Sequence, residues 1–259
     1  MRRRVGCSTA VLALVTSLMT ACAGVPGDAR QDYRDKIVAS AVGFDMVWVP
    51  EGRFWIARTE VTWDAYLLYC DFDETGRVPP GVDAVAKPSK PLEDSHPFDR
   101  EWGTGERPAV GMSRNGARKF CRWLTLNTGH TYRLPTEAQW ELACGPAPVG
   151  NIGDYAWHMG NAEWMTHEVG SKKPNARGLH DMLGNLWEYC EGAFSAQELD
   201  RAVLRGGAWS SQPGDISPAS RLGFDDDWIL DDPNVPSGVW WVPHGEHLGF
   251  RVVRPAREQ

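Results

Sequence analysis

Turn-forming pairs crowd the second half of this chain and limit the folds that it can adopt. After Gly145 such pairs recur at Pro174-Asn175, Gly184-Asn185, Gly206-Gly207 and Pro213-Gly214. Because glycine and proline interrupt regular elements, this half excludes the alternating strands and helices of a doubly wound sheet. Together with the short helices predicted before it, the pattern predicts an irregular, loop-rich α+β domain.

Three short helices are predicted in the first half from their capping residues. Thr62 precedes an apolar face at helical spacing and is expected to begin the first helix. Ser113 begins the second helix, which Gly129 ends. Thr136 and Gln139 have the spacing of a capping box, which predicts a third helix.

The N-terminus has the pattern of an export signal over residues 1–21. Arg2–Arg4 supply the positive charge, and the apolar stretch Val11–Met19 is too short to span a bilayer. Met19–Cys22 resembles a bacterial lipobox, in which Cys22 becomes the lipidated first residue; a plain secretory cleavage nearby is the alternative. We therefore expect an exported, membrane-anchored lipoprotein of the bacterial periplasm or cell surface.

The rest of the chain divides into a tether and one domain. Residues 22–40 are polar and rich in small residues, so they predict a flexible tether. The pattern then becomes apolar, and Phe44–Pro50 with Phe54–Ala57 predicts a β-hairpin. The folded domain is expected to extend over residues 41–255.

The composition of the chain bears on which classes of partner it binds. The net charge of −7 argues against nucleic acid, which attracts basic surfaces. Thirteen of the 259 residues are tryptophan. Buried rings in a loop-rich core explain most of them, while a binding surface paved with aromatic rings is the alternative.

Four cysteines follow Cys22: Cys70, Cys121, Cys144 and Cys190. An even number in an exported protein permits disulfides, with three possible connectivities. Buried free thiols, which pack as small apolar groups, are the alternative. The sequence leaves this choice open.

Four ordered segments resemble one family. They are Arg133–Glu141 (RLPTEAQWE), Asn175–Glu188 (NARGLHDMLGNLWE), Leu204–Trp209 (LRGGAW) and Leu248–Arg251 (LGFR). Together they are similar to the motifs of the formylglycine-generating enzyme, or sulfatase-modifying factor, family. The resemblance covers roughly residues 41–255 and implies a C-type-lectin-like fold with a few short helices.

The family resemblance implies a structural calcium ion. Carried over by position, its ligands are the side chains of Asp181 and Glu188 and the backbone carbonyls of Gly184 and Leu186. Oxygen atoms on a flexible loop suit calcium. Without metal, Asp181 would be a turn residue and Glu188 the partner of a buried arginine. A second calcium site of the family begins at a position matching Asn161, and the shortened loop after it predicts that this site is lost.

Comparison with the same family argues against its oxidase chemistry in this chain. Active members bind Cu(I) with two cysteines that fall here near Ser211 and Ile216. No cysteine follows Cys190, and a hydroxyl does not replace a thiolate toward Cu(I). Copper is therefore not expected, no catalytic residue is assigned, and whether the chain is an enzyme stays open.

The interval between the last two motifs is the variable surface of related ligand-binding proteins. A ligand or protein partner is accordingly expected there, and the candidate contact residues are Trp209, Ser211, Arg221 and Trp240. One alternative is an oxidoreductase with a different metal site, built from His244, Glu246 and His247. A structural component of the cell envelope is another.

Overall fold

The computed structural model describes residues 30–71, 102–232 and 237–256. The residues from Gln31 onward belong to one compact unit. The predicted export signal, Cys22 and most of the proline-rich segment after the first helix lie outside the described residues.

Two four-stranded sheets organise the domain. The first has the order β1-β2-β3-β8, with antiparallel neighbours throughout. The second has the order β6-β5-β4-β7, in which only the β4–β7 pair is parallel. The strands are β1 (Tyr33–Lys36), β2 (Gly43–Val49), β3 (Phe54–Ala57), β4 (Trp187–Ala193), β5 (Ala202–Arg205), β6 (Arg221–Gly223), β7 (Leu248–Gly249) and β8 (Val253–Pro255).

Three α-helices begin where the capping residues predict. Thr62, Ser113 and Thr136 accept hydrogen bonds from the backbone N–H three residues on, and the capping box of Thr136 is complete. The helices are α1 (Trp63–Cys70), α2 (Arg114–Thr128) and α3 (Glu137–Cys144), and short 3-10 turns lie at Ile152–Asp154, Pro213–Asp215 and Asp226–Ile229. Gly129 ends α2 in the left-handed conformation, so these predictions are confirmed.

The predicted α+β class and the β2–β3 hairpin are confirmed, but the predicted start of the domain is too late. β1 lies inside the segment assigned to the tether and pairs with β2 along its whole length, from Tyr33 opposite Met46 to Lys36 opposite Gly43. The four residues of β1 have no buried side chain among them. Their polarity therefore concealed a strand that backbone pairing stabilises.

Most of the tryptophan rings belong to the interior. Five of them are buried and only Trp164 is largely exposed. Trp63, Tyr66 and Trp241 pack together between α1 and the chain before β7, with Trp63 stacked on Trp241 at 6.5 Å. The aromatic content thus serves mainly to fill the space between short elements.

All four described cysteines are buried free thiols. Burial raises the pKa of Cys144 to about 12 and raises that of Cys190 well above its usual value. Since the thiolate is the reactive form of cysteine, these side chains act as packing groups in the folded domain.

Among the residues that the structure describes, no helix is long and apolar enough to cross a membrane.

A polar network fastens β1 to the chain after α2. Asp35 Oδ2 accepts a hydrogen bond from the Tyr132 hydroxyl at 2.5 Å and lies 2.8 Å from His130 Nδ1. Burial alone would raise the pKa of Asp35, but the hydrogen bonds from Tyr132, His130 and the Lys36 N–H outweigh it and lower the pKa. The ionised carboxylate therefore stabilises the docking of β1.

We expect Asp35→Asn to lower the free energy of unfolding by about 1 kcal/mol at pH 7, because a charge-assisted acceptor is lost. A lowered folded-state pKa means that this stabilisation is present above the unfolded pKa of roughly 3.9 and is lost as the pH falls through the folded value. Urea unfolding between pH 3 and pH 7 measures the difference. The exposed Asp226→Asn is the control, and a pH-independent difference for Asp35→Asn would contradict the assignment.

Candidate functional site

The positions that match the family's copper ligands hold structural side chains. Ser211 Oγ accepts a hydrogen bond from the Ala208 N–H at 3.0 Å, closing a turn. Ile216 is buried in the smaller of two apolar clusters. It packs so closely on Gly207 that an added Cβ there would lie 2.8 Å from the Ile216 side chain.

Two of the residues predicted to contact a ligand are held within the domain. Trp209 is buried, its ring meets Trp102 edge-on at 5.4 Å, and its Nε1 donates to the Glu246 carbonyl. Arg221 binds both carboxylate oxygens of Glu137. Arg221 is nevertheless exposed, whereas Ser211 and Trp240 are half-buried.

A buried ion pair lies at the centre of the domain. Arg251 follows β7 and donates from Nε and Nη2 to the two carboxylate oxygens of Glu188 on β4, at 2.7 and 2.6 Å. Neither side chain is exposed. Trp140 Nε1 on α3 donates a further hydrogen bond to Glu188 Oε2 at 2.9 Å. Glu188 thus has the buried-arginine partner that the sequence left as its alternative to calcium.

Two more buried carboxylates lie beside this pair. Glu60 and Asp181 each keep one oxygen without a hydrogen-bond partner, Oε1 and Oδ1 respectively. Their charges interact with each other and with those of Glu188 and Arg251, and burial raises the pKa of both. Three carboxylates around one guanidinium leave a formal excess of two negative charges in an interior that penalises them.

The loop between Asp181 and Leu186 has an unusual backbone conformation. Asp181, Gly184 and Asn185 all have positive φ, at 54°, 76° and 57°. A Cβ at Gly184 would lie 2.2 Å from the Trp157 carbonyl oxygen, so only glycine fits there. The Asn185 side chain donates to Glu60 Oε2 at 2.9 Å, which places the Glu60 carboxylate against this loop.

Part of the predicted calcium-ligand set fits a divalent cation in this arrangement. Asp181 offers a free buried oxygen on the loop that carries the carbonyls of Gly184 and Leu186, and Glu60 offers a second. Glu188 is occupied by Arg251 and Trp140. Within the described ranges, no three acidic, histidine or cysteine side chains converge enough to hold a metal alone, so backbone carbonyls are needed.

Sequence reasoning missed Glu60. It lies more than a hundred residues from Asp181, in the segment leading into α1, and nothing in its local pattern points to the loop. Its sequence signal is the segment Thr59–Thr62, which resembles the family's helix-entry motif, whereas the burial of its side chain is visible only in the structure.

The two histidines of the alternative metal site have different contact partners. His244 is exposed and its Nε2 lies 2.7 Å from Asp231 Oδ2. His247 packs edge-on against Trp228 at 4.7 Å, and burial lowers its pKa to about 4. The side-chain amide of Asn161 donates a hydrogen bond to the Ala156 carbonyl in its own loop.

Trp164 is a surface residue that the sequence did not single out. Its side chain is 63% exposed, and both Glu163 and Trp164 have positive φ, at 52° and 61°. Two successive non-glycine residues in this conformation cost roughly 1–2 kcal/mol each. The loop is joined to the Ser211 turn, because the Met159 N–H donates to the Ser211 carbonyl at 3.0 Å.

Comparisons with known proteins agree with this description. The family model for the sulfatase-modifying factor enzyme 1-like domain matches residues 27–232. The chain is 32% identical over 175 residues to the inactive C-alpha-formylglycine-generating enzyme 2 of Bos taurus, covering 58% of this chain and 51% of the relative. It is also 32% identical over 146 residues to the serine/threonine-protein kinase pkn1 of Chlamydia pneumoniae, covering 47% of this chain and 22% of the kinase.

Among solved structures, Treponema denticola variable protein 1 superposes with a TM-score of 0.60 at 20% identity. The match covers 86% of this chain and 98% of that one. At this identity the similarity shows the fold alone.

The fold and the buried charged centre define a C-type-lectin-like domain of the formylglycine-generating enzyme type. The chain belongs to the sulfatase-modifying factor family, as its motifs predict. It spans about half the length of the inactive bovine relative and about a fifth of the chlamydial kinase.

We expect Arg251→Met to lower the free energy of unfolding by about 3–5 kcal/mol, because it leaves a buried carboxylate without its partner. The double variant Arg251→Met/Glu188→Gln should recover at least about 1 kcal/mol of this loss, since glutamine carries no charge to strand. Urea unfolding of the single and double variants measures the coupling. Additive effects of the two substitutions would contradict a direct pair.

Proposed function

We propose that this protein is an exported lipoprotein whose sulfatase-modifying-factor-type domain binds a ligand or protein partner without cysteine-oxidase chemistry. The observation that carries the proposal is the replacement of the thiolate pair. Ser211 closes a turn and Ile216 fills the core where active members of the family place copper ligands. The Cys22 lipobox supports attachment to a membrane.

The cysteines elsewhere do not supply a substitute. Cys70, Cys121, Cys144 and Cys190 are all buried. Cu(I) needs accessible thiolates, whereas burial raises the pKa of Cys144 and Cys190 and keeps these thiols protonated. The copper-dependent reaction of the family therefore has no donor set among these residues.

Incubation of the purified protein with Cu(I), oxygen and a sulfatase-type cysteine peptide tests this proposal. We expect no conversion of the peptide cysteine to formylglycine by mass spectrometry and no stoichiometric Cu(I) in a chelator competition. The formylglycine-generating enzyme of Streptomyces coelicolor serves as the positive control. Conversion at a rate comparable to that control would overturn the proposal.

Trp164 extends the proposed binding surface beyond the residues suggested by the motifs. Strained backbone that persists next to an exposed aromatic side chain is typical of ligand-contact loops. Around it, Asn161 and Thr166 fix the loop, through hydrogen bonds to the Ala156 carbonyl and from Arg107. The exposed ring thus lies on a hydrogen-bonded loop that Met159 joins to the Ser211 turn, and a ligand can stack on it at little entropic cost.

A calcium ion is proposed as the structural cofactor. Asp181 and Glu60 would supply side-chain oxygens, and the carbonyls of Gly184 and Leu186 would complete the set. A divalent ion neutralises the excess of two negative charges around Arg251, which supports this proposal. Such an ion would hold the 181–186 loop against the entry to α1.

We expect a calcium chelator to lower the melting temperature of the wild-type protein by about 5–10 °C, because saturating a site at 100 Kd stabilises by about 2.7 kcal/mol. Asp181→Asn and Glu60→Gln should both weaken this response, and added calcium should restore only the wild type. The matched control is Asp154→Asn, whose exposed carboxylate pairs with Lys173. Scanning calorimetry measures the shifts, and a wild type indifferent to chelator would remove calcium from the proposal.

A further inference from the structure

A shallow hollow of about 370 Å³ lies on the side of the domain where α2 meets the chain that follows it. It is distinct from both the Ser211 turn and the buried charged centre. Arginine dominates its polar lining, and the lining residues are Arg118, Cys121, Arg122, Thr125, Tyr132, Arg133, Leu134 and Glu191.

The charges of the hollow do not balance. Arg118 binds both carboxylate oxygens of Glu191, from Nε at 3.1 Å to each and from Nη2. Glu191 is the sole acidic residue of the lining, so this pair consumes the negative charge available. Arg122 and Arg133 are left with two positive charges and no carboxylate.

These two arginines keep free donors. Arg122 is exposed, and within the described chain it forms no hydrogen bond or ion pair. Arg133 is half-buried, and within the described chain it donates hydrogen bonds only from Nη1, to the Leu134 carbonyl and to Gln139 Oε1. Burial lowers the pKa of Arg133, against the opposing charge of Glu191, which indicates a guanidinium whose charge is poorly compensated.

The arrangement on α2 adds to this positive charge. Arg114, Arg118 and Arg122 follow one another at a spacing of four residues and share one face of the helix. Burial and the neighbouring charge of Arg118 lower the pKa of Arg114. Like charges at this spacing destabilise a helix, and the chain as a whole carries a net charge of −7. A concentration of arginine here therefore has a cost that an anionic ligand would offset.

The floor of the hollow is less polar than its rim. Cys121 and Leu134 are buried there, and the Thr125 hydroxyl donates to the Cys121 carbonyl and accepts from the Tyr132 N–H. A ligand with an anionic head and a small apolar body matches both parts of this lining.

We propose that the hollow bounded by Arg122 and Arg133 binds the phosphate group of an organic phosphate monoester. A phosphate dianion supplies the two missing negative charges, and its oxygens match the paired N–H groups of guanidinium. The apolar floor takes the organic part of the ester.

Isothermal titration of the purified protein with phenyl phosphate and with inorganic phosphate at low ionic strength tests this site. We expect saturable binding at one site per chain, tighter for the ester. Arg122→Gln should weaken binding roughly tenfold, because one charge-assisted pair is lost. The matched control is Lys119→Gln, which makes the same charge change on the same helix outside the lining.

Flotation with vesicles of phosphatidylcholine, with and without phosphatidic acid, separates the two sources of the phosphate group. Binding of phenyl phosphate that phosphatidic acid vesicles do not compete assigns a free ester, while competition assigns a lipid headgroup. No saturable binding of either form, or equal weakening by Arg122→Gln and Lys119→Gln, would overturn the proposal. Unchanged melting temperatures for both variants confirm that folding is not the cause.

Discussion

The buried pair of Arg251 and Glu188 ties the two sheets into one domain. Glu188 belongs to β4 in the second sheet, whereas Arg251 also donates to the carbonyls of Ala57 at the end of β3 and of His180 directly before the 181–186 loop. A single guanidinium thus satisfies acceptors on three separate parts of the chain. Because an unpaired buried charge is so costly, these parts must assemble together or not at all.

This dependence explains why the motifs of the family persist in a chain that has serine and isoleucine near the family's two thiolate positions. Arg251 and Glu188 come from two of the ordered motifs, and Trp140, which supports the pair, comes from a third. These three residues are therefore hydrogen-bonded to one another across the motifs. The residues near the thiolate positions belong to the framework in another way, since Ser211 closes a turn and Ile216 fills the core.

The helices were predictable from local sequence signals, whereas features that depend on long-range contacts were not. The caps were predicted correctly because Thr62, Ser113 and Thr136 each accept a hydrogen bond from a residue only three positions away. β1 was missed because Tyr33–Lys36 owes its structure to pairing with β2. In the candidate site, Asp181 was found by motif, but Glu60 was not. The partners of Trp209 and Arg221 lie 37 and 84 residues away, and no spacing rule reaches that far.

The four buried thiols also bear on the life of the protein before it folds. While the chain is still extended, Cys70, Cys121, Cys144 and Cys190 are accessible together to any oxidant that it meets. Once the domain closes, each sulfur is enclosed by apolar neighbours. Redox damage or mispairing is therefore confined to the interval before the domain closes, and folding itself protects these four thiols from oxidation.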